Sequence, residues 1–312
     1  MNSVGLFFNE MIVLYLIACI GFLARKRKVL NEHANKVITQ LVLYITLPAL
    51  IIYSLDVSFS ITIVKDFLWL VTMSIYISII AILLAKWIGK MSKFPSMKKS
   101  ELEGIIIFGN QGFIGYAVIY ILLEEQGILY LTMFNIFYLV LIWTYGIYLF
   151  TKNSKTIDWK KIFWNPGILA TVIGIFFFLS PIALPEMVAN TFETIGKMTI
   201  PLSMMMIGSL IAEVKFDTIV TTLKNKYLWQ SVLLRLFGIP VFLFIFILLP
   251  VHFSLLIIAV LVSGMPSAPT ISLYAQQFGA DPHFSSLAVL LTTSLCIVSL
   301  PCLYLLTLYL YN

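Results

Sequence analysis

Two short stretches combine side chains that can bind a small ligand with residues that weaken a helix. The first, "FGNQGFIGYAV" (residues 108–118), places the amides Asn110 and Gln111 among glycines. The second, "SGMPSAP" (residues 263–269), places the hydroxyl of Ser267 between prolines. Amides and hydroxyls donate and accept hydrogen bonds, but they do not transfer protons near neutral pH. With no HExxH motif and no Ser/His/Asp set in the sequence, these residues favour ligand binding over an enzyme.

Glycine and proline explain how a helix can open at both stretches. The predicted helix breaks are Gly109, Gly112 and Gly115 in the first stretch, and Gly264, Pro266 and Pro269 in the second. Proline removes a backbone donor and glycine permits non-helical angles. Two such breaks meeting inside a membrane would each present a half-helix N-terminus, which favours anions such as carboxylates. The alternative for the glycines is close packing between helices.

Composition places both stretches in a membrane protein. The chain has 312 residues, of which 61% are hydrophobic and 11% charged, with a mean hydropathy of +1.01. About 20 apolar residues cross the hydrocarbon layer of a bilayer. The apolar runs predict ten spans in an all-α polytopic fold, near 5–24, 36–55, 66–87, 102–123, 127–150, 166–184, 194–212, 227–250, 252–276 and 285–310.

The basic residues predict the orientation of these spans. The first run is followed, not preceded, by the cluster Arg25 to Lys28, so we interpret it as a span and not as a cleavable signal, with its N-terminus outside. The connections that then face the cytoplasm hold 17 of the 20 basic residues. This is the positive-inside pattern. The net charge of +6 therefore reflects topology in a cell (inner or plasma) membrane, with both termini outside, and does not indicate nucleic acid.

An internal repeat organises the ten spans into two halves. Pro48 and Pro201 occupy similar contexts 153 positions apart, while Asn110 and Pro266 are 156 apart. The repeats are predicted as 1–150 and 166–312, joined by a cytoplasmic linker at 151–165. Because five spans is an odd number, the second half must be inverted. Inverted repeats with interrupted, crossing fourth and ninth helices are typical of secondary transporters.

The order of these motifs resembles the auxin efflux carrier family. The similarity rests on "YITLPALIIYSL", "NQGFIG", "NPGILA" and "GMPSAPTISLYAQQFGAD", and it extends over essentially the whole chain. Where many relatives have a proline shortly after the fourth-span glycines, this chain has Gly115-Tyr116. The fourth helix is therefore expected to be less sharply broken than in those relatives.

The resemblance implies an architecture and an activity. Spans 1, 2, 6 and 7 would form a scaffold, and spans 3–5 and 8–10 a transport part that moves like an elevator in a homodimer. The substrate would be a small organic anion, such as a carboxylate, held at the crossover without a cofactor or a metal. By motif, the binding positions are Asn110, Gln111 and Gly112, opposite Pro266, Ser267 and Pro269.

Further polar residues inside the spans are candidates for the same cavity. Asn135 and Tyr138 in the fifth span could line it, and Pro48 and Pro201 are interpreted as kinks or breaks in the scaffold helices. Arg235 could attract an anion, pair with a carbonyl or extend toward the cytoplasmic end of its helix.

The positions of the acidic residues indicate whether transport is coupled to Na⁺ or H⁺. Since no acidic residue lies at the centre of a run, the sequence favours a uniporter or exchanger. The alternatives are a Na⁺- or H⁺-coupled symporter, because backbone carbonyls can also bind Na⁺, and a membrane sensor of the same fold.

Overall fold

The computed structural model describes residues 3–56, 61–151, 164, 166–180, 182–212, 223–280 and 283–311, and most of the predicted linker at 151–165 lies outside them. Within these residues every regular element is a helix. The helices are α1 (Ser3–Lys26), α2 (Glu32–Leu41), α3 (Leu47–Leu55), α4 (Ile61–Ser92), α5 (Ser96–Ile107), α6 (Tyr116–Leu141), α7 (Ile147–Thr151), α8 (Pro166–Leu179), α9 (Glu186–Lys197), α10 (Thr199–Ile211), α11 (Lys226–Leu233), α12 (Ile239–Val241), α13 (Phe253–Ser263), α14 (Pro269–Gln277) and α15 (His283–Tyr311).

Wide π turns connect several helices without ending them. They are Val42–Thr46, Gln111–Gly115, Ile142–Gly146 and Leu234–Gly238, and Phe242–Leu248 is a 3₁₀ segment. Pro48 follows the first π turn, at the start of α3, and Pro201 lies in the first turn of α10. In the first turn of α10, Pro201 loses no intrahelical hydrogen bond. Pro48 lies inside the continuous helical stretch Glu32–Leu55, where the preceding π turn accommodates its missing donor.

Five helical stretches of the described chain are long and apolar enough to cross a membrane. They are Glu32–Leu55, Ile63–Ser92, Leu122–Thr151, Lys226–Leu248 and Phe284–Tyr311, and α8 and α13 are shorter apolar helices. The prediction of an all-helical polytopic fold is confirmed at this level. The fourth predicted span is interrupted at residues 108–110 and the ninth at 264–268. Between the fourth and fifth spans, α6 turns sharply at Leu123 and Glu124.

The chain divides into two compact units. Unit 1 comprises residues 1–68, 112–139 and 159–213, and unit 2 comprises residues 69–111, 140–158 and 214–312. In unit 1, glycines let helices pack closely: a Cβ on Gly208 of α10 would lie 2.6 Å from the carbonyl carbon of Ala18, and one on Gly174 of α8 would lie 3.1 Å from Cβ of Leu55. A larger residue at Gly208 would meet backbone that cannot move aside, and one at Gly174 would require the Leu55 side chain to shift.

One hydrogen bond in unit 1 joins residues that occupy matching places in the two halves of the chain. Thr199 Oγ1 donates to Thr46 Oγ1 at 2.9 Å, across a separation of 153 positions. The same separation relates Pro48 to Pro201. It also relates Gly174 to Gly21, whose Cβ would lie 2.7 Å from the backbone of Met205 in α10. The pairing of α1 with α10 therefore has its counterpart in the pairing of α8 with α3.

Unit 2 contains both helix breaks and a buried carboxylate that anchors a helix end. Glu101 in α5 is buried, and its Oε2 accepts a hydrogen bond from the Ser285 N–H at 3.2 Å. Ser285 lies in the first turn of α15, where unpaired N–H groups and the helix dipole both favour a negative charge. This contact joins α5, the helix that leads into the first break, to the start of α15.

Candidate functional site

The two helix breaks meet in unit 2 as a short antiparallel pair. The Asn110 N–H donates to the Pro266 carbonyl at 2.6 Å, and the Ala268 N–H donates to the Phe108 carbonyl at 2.9 Å. Between these bonds, Gly109 faces Ser267 in an antiparallel bridge. The backbone groups that leave the helices thus satisfy one another, as they must at membrane depth. We call residues 108–111 and 264–269 the crossover.

Local sequence explains the shape of each strand of the crossover. Gly264 ends α13, and a Cβ there would lie 3.2 Å from Cγ of Pro240. Pro266 needs no donor partner, and only its carbonyl is used in the pair. Pro269 is the first residue of α14, where a proline is pre-organised to start a helix. The prolines therefore end one half-helix and begin the next within a few residues.

Ser267 links the crossover to two neighbouring helices. Its hydroxyl donates to the Ile105 carbonyl at 2.8 Å, and its N–H donates to Oγ1 of Thr292 at 3.0 Å. Thr292 Oγ1 in turn donates to the Ala288 carbonyl within α15 at 2.7 Å. Ser267 is buried. Because its hydroxyl proton is already donated to Ile105, the hydroxyl oxygen can only accept any further hydrogen bond.

The two amide side chains of the first stretch are both buried at the crossover. Asn110 is 2% exposed and Gln111 is 4% exposed. Gln111 Oε1 has no hydrogen-bond partner among the described residues. A buried amide oxygen without a partner costs free energy in the apo protein, and a ligand donor or water can recover that energy.

Arg235 is the charged group of the crossover. Its side chain is 2% exposed; Nε donates to the Met265 carbonyl at 2.9 Å, and Nη1 donates to the carbonyls of Ile107 at 3.0 Å and Ile106 at 3.3 Å. Of the three roles open at the sequence level, the structure therefore selects carbonyl pairing. A Cβ on Gly109 would lie 2.8 Å from Arg235 Cζ and closer still to Nη2, so this glycine makes room for the guanidinium.

The remaining predicted positions belong to unit 1. Gly112 and Gly115 lie in the π turn that continues into α6, and the nearest atom to a Cβ on Gly112 is Leu47 Cδ2 at 3.8 Å. Asn135 and Tyr138 are both buried in α6. Asn135 Oδ1 has no hydrogen-bond partner among the described residues.

A chain of hydroxyls surrounds this part of unit 1. Tyr116 OH lies 3.0 Å from Thr132 Oγ1, which lies 3.0 Å from Ser54 Oγ. The Asn135 side chain lies close to the Tyr116 hydroxyl. Sequence reasoning noted Tyr116 only as the residue where relatives have a proline. The structure gives it a buried polar cluster with Asn135.

Sequence reasoning missed several residues of these sites. Thr292, Thr132 and Ser54 are isolated hydroxyls in long apolar runs, and nothing in their local sequence distinguishes them from other serines and threonines. Glu101 immediately precedes the fourth predicted span, and the structure buries it against the start of α15. Only the folded chain brings these groups to their partners.

Comparison with known proteins identifies the family of the chain. A family profile described as "membrane transport protein" matches residues 6–304. The chain belongs to this family, the auxin efflux carriers. An uncharacterized transporter of Methanocaldococcus jannaschii is 24% identical over 213 residues, which cover 64% of this chain and 67% of the relative.

These matches settle the general class of the protein. The predicted family membership is confirmed, and the chain is a multi-pass membrane protein of a transport family.

Proposed function

We propose that this membrane protein is a secondary transporter of small organic anions such as carboxylates, and that the crossover of unit 2 is its binding site. The observation that carries the proposal is the pairing of Asn110 with Pro266 and of Phe108 with Ala268, next to buried amides. Interrupted helices that meet in this way form the substrate sites of several transporter folds.

The charge distribution at the crossover favours an anion. Helix α14 begins at the crossover, so the N–H groups of its first turn and its positive dipole end lie there. The carbonyl ends that would repel an anion are already paired with Arg235. Gln111 and Asn110 then supply neutral amides that can orient a carboxylate without fixing it as tightly as a salt bridge would.

The repeat architecture belongs to the same proposal. We propose ten spans in two inverted repeats, with spans 1, 2, 6 and 7 as scaffold and the others as the moving part of an elevator in a homodimer. The hydrogen bond between Thr46 and Thr199 supports the repeat, because a residue near a pseudo-two-fold axis contacts its own counterpart. The matched glycines Gly21 and Gly174 support it independently.

Counterflow in proteoliposomes tests the proposed function. Loading with unlabelled malate, malonate or a related carboxylate should drive uptake of the labelled anion, and Asn110→Ala and Ser267→Ala should abolish this uptake without unfolding the protein. Ser231→Ala is the matched control, because Ser231 is buried in the same unit and its hydroxyl bonds, among the described residues, only within its own helix, to the Leu228 carbonyl at 2.7 Å.

Two outcomes would contradict the proposal. Full transport in both crossover variants would remove the site from the crossover. Binding of the anion without any counterflow would make the chain a sensor, and imposed Na⁺ or proton gradients in the same assay separate uniport or exchange from symport.

A further inference from the structure

The carbonyls that hold Arg235 are the ends of two half-helices. Ile106 and Ile107 are the last residues of α5, and Met265 lies two residues beyond the end of α13. The final carbonyls of a helix have no intrahelical partner and carry its partial negative charge. Arg235 therefore lies where two negative helix ends converge: it contacts the last two carbonyls of α5 and, at Met265, a carbonyl just beyond the end of α13.

In other secondary transporters, unwound carbonyls and half-helix C-termini of this kind coordinate the coupling cation. Here the guanidinium of the chain itself occupies that position. We propose that Arg235 is the resident cation of the crossover, replacing a coupling Na⁺, so that the anion is bound and moved without a co-transported cation. This inference rests on the proposed transport function and specifies its energetics.

Three features indicate that Arg235 has a role beyond hydrogen bonding. A neutral donor such as glutamine could also bond a carbonyl, whereas a charge at membrane depth is costly and is found mainly where it serves a function. Arg235 also projects from the π turn Leu234–Gly238, and π turns inside helices occur frequently at functional sites. In addition, the absence of a side chain at Gly109 leaves room for the guanidinium.

The charge has a direct consequence for the ligand. At the crossover, α5 and α13 contribute negative ends and α14 contributes a positive end. With the negative ends neutralised by Arg235, the positive helix end dominates the local potential. Arg235 thus acts as a positioning residue: it sets the field that an anion meets.

Chemical rescue tests the proposal. The variants are Arg235→Ala, Arg235→Lys and Arg235→Gln, and the added probes are guanidinium chloride or urea at the same low millimolar concentration. Guanidinium and urea are nearly isosteric and both donate hydrogen bonds, but only guanidinium is charged. The readouts are the thermal unfolding midpoint of the purified protein and carboxylate counterflow in proteoliposomes.

The expected results follow from the resident cation. Wild-type unfolding and counterflow should be the same in sodium chloride as in choline chloride, and Arg235→Lys should stay independent of sodium. Arg235→Gln should weaken the apparent affinity for the anion by about tenfold or more. Arg235→Ala should be stabilised and partly reactivated by guanidinium but not by urea, and Na⁺ should raise its unfolding midpoint by entering the vacated carbonyl site.

Three results would overturn the proposal. They are equal rescue by urea and guanidinium, wild-type affinity in Arg235→Gln, and a rise of the wild-type unfolding midpoint with sodium. If Arg235→Ala cannot be purified, the anion affinity of Arg235→Gln and the comparison of wild type in sodium and choline chloride still test whether Arg235 is the resident cation. If wild type moves no carboxylate while Arg235→Ala is stabilised by guanidinium alone, the proposed transport function fails and the resident cation stands.

Discussion

Substitution of Gly109 by alanine tests whether the guanidinium at the crossover is held rigidly. The added Cβ would lie 2.8 Å from Arg235 Cζ and closer to Nη2, so the guanidinium must move by about 1 Å to reach an ordinary contact distance. The end of an arginine side chain is normally flexible. Here Nη1 is bonded to two carbonyls at 3.0 and 3.3 Å, and Nε to a third at 2.9 Å.

A shift of that size would break one or two of these bonds. Hydrogen bonds to a charged group contribute about 1.5–3 kcal/mol each. Replacing glycine by alanine also stabilises the folded state by about 0.4–1 kcal/mol, because alanine lowers the conformational entropy of the unfolded chain. The net expectation is a loss of about 2–4 kcal/mol, which for a chain of this length corresponds to a fall in the unfolding midpoint of roughly 3–6 °C.

Gly112→Ala is the matched control. Gly112 lies three residues further along the same motif, and its nearest neighbour to a Cβ is Leu47 Cδ2 at 3.8 Å, an ordinary contact. Both variants are measured by thermal unfolding in the same detergent and at one scan rate, since membrane proteins often unfold irreversibly. Gly112→Ala should unfold within about 2 °C of wild type.

Gly109→Ala in an Arg235→Lys background separates the clash with the guanidinium from other effects of the substitution. Lysine lacks the Cζ and Nη2 atoms that the new Cβ meets, so Gly109→Ala should cost much less there, with a coupling of about 1–3 kcal/mol. An unfolding midpoint for Gly109→Ala equal to that of Gly112→Ala would refute the rigid guanidinium, as would equal costs in the two backgrounds.

Three further predictions concern unit 1 and use the same thermal assay. Gly208→Ala should destabilise by about 3 kcal/mol or prevent folding, because its Cβ would meet backbone of α1, which cannot rotate away as a side chain does; an unchanged midpoint would contradict the close packing. Thr46→Val should cost about 1–3 kcal/mol by leaving Thr199 without its partner, while Thr46→Val with Thr199→Val should cost less than the sum of the singles. Tyr116→Phe should lower stability by about 1 kcal/mol through loss of its buried hydroxyl contact, and a midpoint at or above that of wild type would argue against that contact.

Much of the architecture could be predicted from local sequence. Apolar runs located the five long apolar helical stretches to within about five residues at each end, because burial in lipid depends on composition over about 20 positions. The breaks at residues 108–110 and 264–268 were expected from glycine and proline, whose effects on the backbone are local. Asn110, Gln111 and Ser267 were chosen because polar groups at membrane depth need partners.

Tertiary structure alone decided which groups meet. Nothing near position 235 indicates that its guanidinium reaches the carbonyls of Ile107 and Met265, which are 128 and 30 positions away in the chain. The sequence marked Gly109 as a helix opener, whereas the structure adds that its missing side chain makes room for Arg235. The spans, breaks and polar residues follow from the sequence, because hydropathy and backbone freedom are properties of short segments. The register of the crossover and the place of its charge require the packed helices, since a hydrogen bond depends on distances that only the fold sets.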